Sequence, residues 1–168
     1  MKWSHNNVFT LLIDLFKSWL GKNPAKVKKI EESGEMELTK NFKLSEFRCR
    51  DGSDVPEELM DNVRELAENL QVLRDHVGKP ITIISGYRSP TYNKKIGGAR
   101  RSQHMLAKAG DMKIKGLTPA EIKDIIVSLI KEGKMKSGGV GLYTTFVHYD
   151  VRGRNTRWYG TGVKDDKK

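Results

Sequence analysis

Three residues in the second half of the chain have the types and the order of a metal-ligand set. His104 and Asp111 stand seven residues apart in SQHMLAKAGD, and His148 follows 37 residues later in FVHYDVRG. Two imidazoles and one carboxylate are what a catalytic zinc ion takes from a protein while it keeps a fourth position for water. The set therefore predicts a zinc-dependent hydrolase. The stretch around which the chain is organised runs from Ser85 to Asp111 and reads SGYRSPTYNKKIGGARRSQHMLAKAGD.

Side-chain alternation says how the three residues meet. In VHYDV, His148 and Asp150 alternate with Val147, Tyr149 and Val151, so on a strand the His and the Asp share one face. Ala109, Asp111 and Lys113 are related in the same way in AGDMKI, which aims Asp111 into the same cleft, and His104 lies in the loop leading there. Upstream, Ile81 to Ile84 reads as a short buried strand. Before it, Leu59, Val63, Leu66, Leu70 and Leu73 recur at helical spacing and stop at Gly78, with Asp54 expected as the cap and Pro56 in the first turn. Thr118, Pro119 and Glu121 form a capping-box signature that opens a second helix, burying Ile122, Ile125, Ile126 and Leu129. Glycines 138, 139 and 141 lead into strands near 141–143 and 146–151, and 157–159 adds an edge strand. The order predicts an α+β domain, a small antiparallel sheet flanked by helices.

That domain is expected over residues 39–162, after an N-terminal apolar helix and linker (1–38) and before a charged tail (163–168). Residues 8–20, VFTLLIDLFKSWL, have a wide apolar circumference around a polar stripe of Thr10, Asp14, Lys17 and Ser18. Such a surface implies either docking, on the domain or on a second copy, or an anchor at a membrane surface. It is too short and too charged to span a bilayer, and no small-residue cleavage site follows it, so no signal peptide is expected. The single Cys49 excludes an internal disulfide framework and a Cys-rich zinc knuckle.

The net charge of +10 is unevenly placed. Residues 1–40 contribute seven Lys against five acids, or +2, whereas Arg88 to Lys115 holds eight Lys and Arg against Asp111 alone. A one-sign patch of this kind attracts anionic partners. Nucleic acid and a bacterial cell wall rich in carboxylate and phosphate both satisfy it, and charge does not choose between them.

SGYRSPTYNKKIGG, SQHMLAKAGD, GGVGLY and FVHYDVRG together resemble the zinc D-alanyl-D-alanine carboxypeptidases and related peptidoglycan peptidases. That group includes phage endolysins and vancomycin-resistance dipeptidases, and it shares its fold with the Hedgehog signalling domain. The likeness spans roughly 41–160. It implies His104, Asp111 and His148 as ligands of one zinc ion per chain, with Arg88 contacting a substrate carbonyl or carboxylate and Ser102 as the hydroxyl residue two before the first His. Tyr87, in the same SGYRS element, joins them as a substrate-binding candidate. The implied partner is peptidoglycan, cut as a D-Ala-D-Ala carboxypeptidase or an L-Ala-D-Glu endopeptidase would cut it. Without a signal peptide, the implied route to the wall is release from the cytoplasm, as a phage lysin, or carriage in a virion. No nucleic acid is expected, since the cluster Lys94, Lys95, Arg100 and Arg101 lacks interleaved aromatics.

Two departures from the family pattern bear on the chemistry. Where many relatives carry an acidic general base, three residues before the last His, this chain has Thr145, and Phe146 stands where many have a second His. Asp150 is the remaining candidate for the base, the alternative being an acceptor that orients His148 or pairs with Arg152 or Arg154. A zinc-holding module that binds cell wall without hydrolysis is the second reading. Ala107 also replaces a usual Gly, a change expected to spare the ligands.

Overall fold

The computed structural model of the chain describes residues 35–163. The apolar stretch 8–20, the linker as far as residue 34 and the tail from residue 164 lie outside the described residues.

Helix α1, Met60–Val77, forms where the apolar spacing predicts it. It buries Val63, Leu66, Ala67, Leu70 and Leu73 at 0–1% exposure. Each large aliphatic side chain so buried contributes about 2 kcal/mol. The helix leaves through Gly78, at φ 63°, whose N–H bonds back to the Arg74 carbonyl. Its start differs from the expectation. Asp54 is not the cap; it pairs with Arg48, and a 3-10 turn over Glu57–Leu59 precedes the helix. Val55 is drawn into the core between them.

Strand β1, Ile81–Ser85, leads into the short helix α2, Pro90–Lys95, then a 3-10 turn at Gln103–Leu106 and strand β2, Ala109–Ile114. Helix α3, Pro119–Lys131, opens on the capping box: the Thr118 hydroxyl accepts from the Glu121 N–H, and the Glu121 carboxylate accepts from the Thr118 N–H at 2.7 Å. Strands β3, Gly139–Leu142, β4, Val147–Asp150, and β5, Thr156–Tyr159, complete the domain.

The five strands make one sheet in the order β1-β2-β4-β3-β5. The α+β expectation holds, and all pairs are antiparallel except β3 with β5, which run parallel. The reason lies in the short connection over 151–155: the Gly153 N–H bonds to the Ser137 carbonyl, so the chain crosses past the start of β3 and enters β5 on its far side, heading the same way.

One sheet face is apolar. Met112, Val140, Val147 and Tyr149, all at 0–1% exposure, meet α1 and α3 there. The Tyr149 hydroxyl, which would otherwise be stranded, donates to the Lys136 carbonyl at 2.8 Å. Cys49 is 4% exposed and packs within the same hydrophobic cluster. The opposite face carries the polar residues, and the register lines them up. Ser85, Asp111, His148, Gly141 and Trp158 are successive partners across β1, β2, β4, β3 and β5.

Candidate metal centre

Each of the three predicted ligands reaches this row differently. Asp111 and His148 are direct neighbours on β2 and β4. His104 comes from the 3-10 turn, which closes at Ala107 with φ 51°, the one positive φ outside glycine among the described residues. That left-handed turn is why a Gly is usual there: a Cβ costs about 1–2 kcal/mol in this region. The ring of His104 is oriented by the SGYR element, because its Nδ1 lies 2.7 Å from the Gly86 carbonyl. Gly86 itself passes so close to Phe47 that a Cβ would stand 2.6 Å from that residue's backbone. No larger residue fits without moving the carbonyl.

The ligand atoms form a compact triangle. His104 Nε2 is 3.2 Å from both Asp111 Oδ1 and His148 Nδ1, and the latter two are 2.9 Å apart. All three residues are buried, at 3–6% exposure. Their outer hydrogen-bond partners fix one N–H on each ring. A carbonyl only accepts, so His104 donates from Nδ1; the Asp150 carboxylate only accepts, so His148 donates from Nε2 across 3.0 Å. His104 Nε2, His148 Nδ1 and Asp111 Oδ1 therefore face one point, and with both rings neutral each offers a lone pair there. Such an arrangement repels itself unless a cation or a proton stands among them. With metal–ligand bonds of ~2.1 Å, the edges of a zinc tetrahedron are about 3.4 Å, close to the spacings seen. The donor set fits the ion.

The electrostatics agree. Burial pushes His104 below the ordinary histidine range, against the pull of Asp111, which keeps its ring neutral and able to ligate. Burial alone would lower His148 as well, but its hydrogen bonds to Asp111 and Asp150 outweigh this and raise it, so without a metal the proton among the three atoms belongs on His148 Nδ1, and a bound cation would take its place. Burial opposes ionisation of Asp111 too, yet its contacts with the imidazoles of His104 and His148, which share the proton of the metal-free site with it, hold its carboxyl well below the usual range.

The surrounding side chains fix the three in place. Arg88 donates from Nη2 to Asp111 Oδ2 at 2.6 Å and from Nε to the Ser85 hydroxyl at 3.0 Å, while its backbone N–H bonds to the His104 carbonyl. Asp150 is 0% exposed and has both oxygens engaged. Oδ2 accepts from His148 and from Arg152 Nη2 at 2.6 Å, and Oδ1 from the N–H groups of Gly139 and Arg152 and from Arg152 Nε. Despite burial its carboxyl is held low by these bonds.

The other predicted residues are spread more widely. Ser102 is half-buried at the start of the 3-10 turn, and its hydroxyl makes no cap bond. Tyr87 is 6% exposed within the core cluster. Thr145 is exposed and borders a separate cavity of about 300 Å³ with Thr82, Lys113 and Phe146, away from the triad. The Phe146 ring stacks on Tyr143 at 4.3 Å.

Two residues of the site escape a reading of the sequence. Trp158 packs its indole 5.0 Å from the His148 ring and beneath the Arg152 guanidinium, and donates from Nε1 to the Tyr143 hydroxyl. Gly141 makes that possible, since a Cβ there would lie 2.4 Å from the indole. The alternation of small residues in GGVG, one strand away from the last His, is the only signal that a large side chain from elsewhere fills the gap.

Comparison with known proteins agrees with this geometry. The family model described as Peptidase M15 matches residues 38–150. The chain is 37% identical over 80 residues to the peptidoglycan L,D-endopeptidase MepK of Escherichia coli, covering 44% of this chain and 41% of that protein. It is 32% identical over 141 residues to the probable peptidoglycan L,D-endopeptidase MepK of Haemophilus influenzae, covering 76% and 72%. Over 44 residues it is 48% identical to the zinc D-Ala-D-Ala carboxypeptidase of Streptomyces albus G, covering 26% and 17%. The match thus spans about two-fifths of the length of the Escherichia coli relative.

Proposed function

Since the chain belongs to the peptidase M15 family, we propose that it is a zinc peptidase cutting peptide bonds in the stem peptides of peptidoglycan. One observation carries this reading: ligand atoms of His104, Asp111 and His148 lie within 3.2 Å of one another on a buried sheet face. The substrate class is supported by the names of the relatives. Of the two activities they carry, the endopeptidase type is favoured. The matches to relatives named endopeptidases run over 80 and 141 residues, against 44 residues for the one named a carboxypeptidase.

Zinc held by the three ligands would polarise the scissile carbonyl and acidify a water molecule. The chain's own residues supply the rest. The Gly86 carbonyl and Asp150 hold the two imidazoles in the tautomers that leave Nε2 of His104 and Nδ1 of His148 unprotonated. Arg88 turns Asp111 so that Oδ1 faces the centre, and its Nη1 is left to meet the oxygen on which charge develops. Asp150 acts as a positioning residue for His148 rather than as the proton carrier, because a carboxylate with both oxygens engaged and no exposure has no free lone pair for water. Trp158 walls the site on the β5 side.

A second reading, a wall-binding module without hydrolysis, is favoured by Thr145 standing where many relatives have an acid. The two separate in a comparison of the wild type with His104→Ala, reading retained zinc and new amino termini released from a soluble stem peptide. Loss of both at equal folding is expected. Zinc-loaded wild type that releases nothing would leave the binding module.

A further inference from the structure

Between Arg88 and His104, both in contact with the centre, the chain leaves the site and returns to it. This excursion is built rigidly. Ser89 caps α2 by accepting from the Tyr92 N–H at 3.0 Å. Asn93, 4% exposed, donates from its side-chain Nδ2 to the Ala99 carbonyl at 3.1 Å, and its backbone carbonyl accepts from the Gly98 N–H at 2.8 Å. The Ser102 N–H then bonds to the Ala99 carbonyl and brings the chain back to the His104 turn. The fold of the loop is thus set from inside by a buried amide.

Its outside is strongly cationic. Lys94, Lys95, Arg100 and Arg101 are all exposed, with Ile96 between them at 46% exposure. Among the described residues none of the four cations has an acidic partner, although other surface lysines do, as in Lys40 with Asp75 and Lys136 with Glu65. Four uncompensated charges on one short, preorganised loop repel one another in the free protein. An anionic chain laid across them relieves that repulsion, and the loop loses little conformational entropy in receiving it.

We propose that the loop from Lys94 to Arg101 is a docking surface for a phosphodiester-linked glycopolymer carried on the cell wall, which holds the wall against the metal centre. This rests on the reading of peptidoglycan as substrate. Repeated phosphates match a row of Lys and Arg, which bind them as point charges and as forks respectively. Ile96 supplies an apolar contact for the carbons between phosphates. Single-stranded nucleic acid fits less well, because its bases need an aromatic platform and the one aromatic residue between Arg88 and His104, Tyr92, is packed against the core.

The test uses the full chain and two preparations of one wall: native, and stripped of its phosphodiester polymer with hydrofluoric acid. Co-sedimentation is measured between 50 and 200 mM salt, beside turnover of a soluble stem peptide. With four phosphates neutralised, at a slope of ~0.7–0.9 per phosphate, affinity for native wall should fall roughly 50- to 150-fold over that range. Stripped wall should bind weakly and with little salt dependence. The variant with Lys94, Lys95, Arg100 and Arg101 all changed to Gln should match the stripped-wall result on native wall while turning over the soluble peptide within about twofold of wild type. Equal binding to native and stripped wall, or tighter binding to duplex DNA at the same salt, would overturn the proposal. A protein that binds native wall with the expected salt dependence but never cuts the soluble peptide would refute the peptidase reading and leave the docking surface standing.

Discussion

Replacing Asp150 by Asn separates the two roles open to that carboxylate. Asp150 receives the His148 Nε2–H at 3.0 Å and four donors from Arg152 and Gly139. An Asn amide can keep its oxygen on only one of these two sides. If the oxygen stays with the Gly139 and Arg152 N–H groups, the amide NH2 faces His148 and favours the ring tautomer protonated on Nδ1, the atom that faces Asp111 and His104. One ligand lone pair is then lost. If the amide is turned the other way, its NH2 opposes buried N–H donors, which costs about 1–3 kcal/mol of folding stability. Either way the effect reaches the metal first. Zinc affinity should drop ~10- to 100-fold, or about 1.4–2.7 kcal/mol, as for other groups that orient a ligand imidazole. Zinc dissociation constants from competition with a chromophoric chelator, followed by turnover at saturating zinc, measure the two separately. Turnover should recover to within about tenfold once zinc is saturating. Unchanged zinc affinity with turnover down by roughly 10²–10⁴ would refute the reasoning and return Asp150 to general acid–base work.

Gly141→Ala drives a Cβ into the Trp158 indole, so it should destabilise the domain by about 1–3 kcal/mol in denaturant titration and weaken zinc binding through His148. Gly139 is not an equivalent control, since its neighbour is Asp150. Thr118→Ala removes the capping box of α3 and should cost about 1 kcal/mol with zinc content unchanged. The Glu121 carboxyl is held low by the N–H and hydroxyl of Thr118, so its contribution is present at neutral pH and lost as pH falls below the ordinary glutamate range. Stability against pH for wild type and Thr118→Ala should therefore draw closer in acid without meeting, because the Thr118 hydroxyl still accepts from the Glu121 N–H when the carboxyl is protonated.

Much of the fold and of the metal centre is legible in the sequence. The meeting of Asp111 and His148 follows from strand alternation, because β2 and β4 are short regular strands whose side chains obey the period of two. Helix α1 follows from five apolar residues at helical spacing, and α3 from a local capping signature. What stays hidden depends on partners distant in the chain. Asp54 reads as a cap until Arg48 claims it. The parallel β5 is decided by a backbone bond from Gly153 to Ser137, which leaves no local trace. Asp150 reads in sequence either as a base or as an acceptor for His148 and Arg152, and in space it is saturated, because the turn after β4 brings Arg152 back onto it. Trp158 reads as an ordinary edge-strand aromatic, and only the register with Gly141 and His148 places it at the site.

The most direct measurement of the central claim is zinc content and peptidoglycan cleavage in one preparation, before chelation, after it, and after one equivalent of zinc is returned, with the cut bond mapped by mass spectrometry. About one zinc per chain is predicted, with cleavage lost on chelation and restored by the added equivalent. Cleavage that persists in the metal-free protein, or a chain that takes up no zinc at the His104, Asp111 and His148 site, would contradict the account.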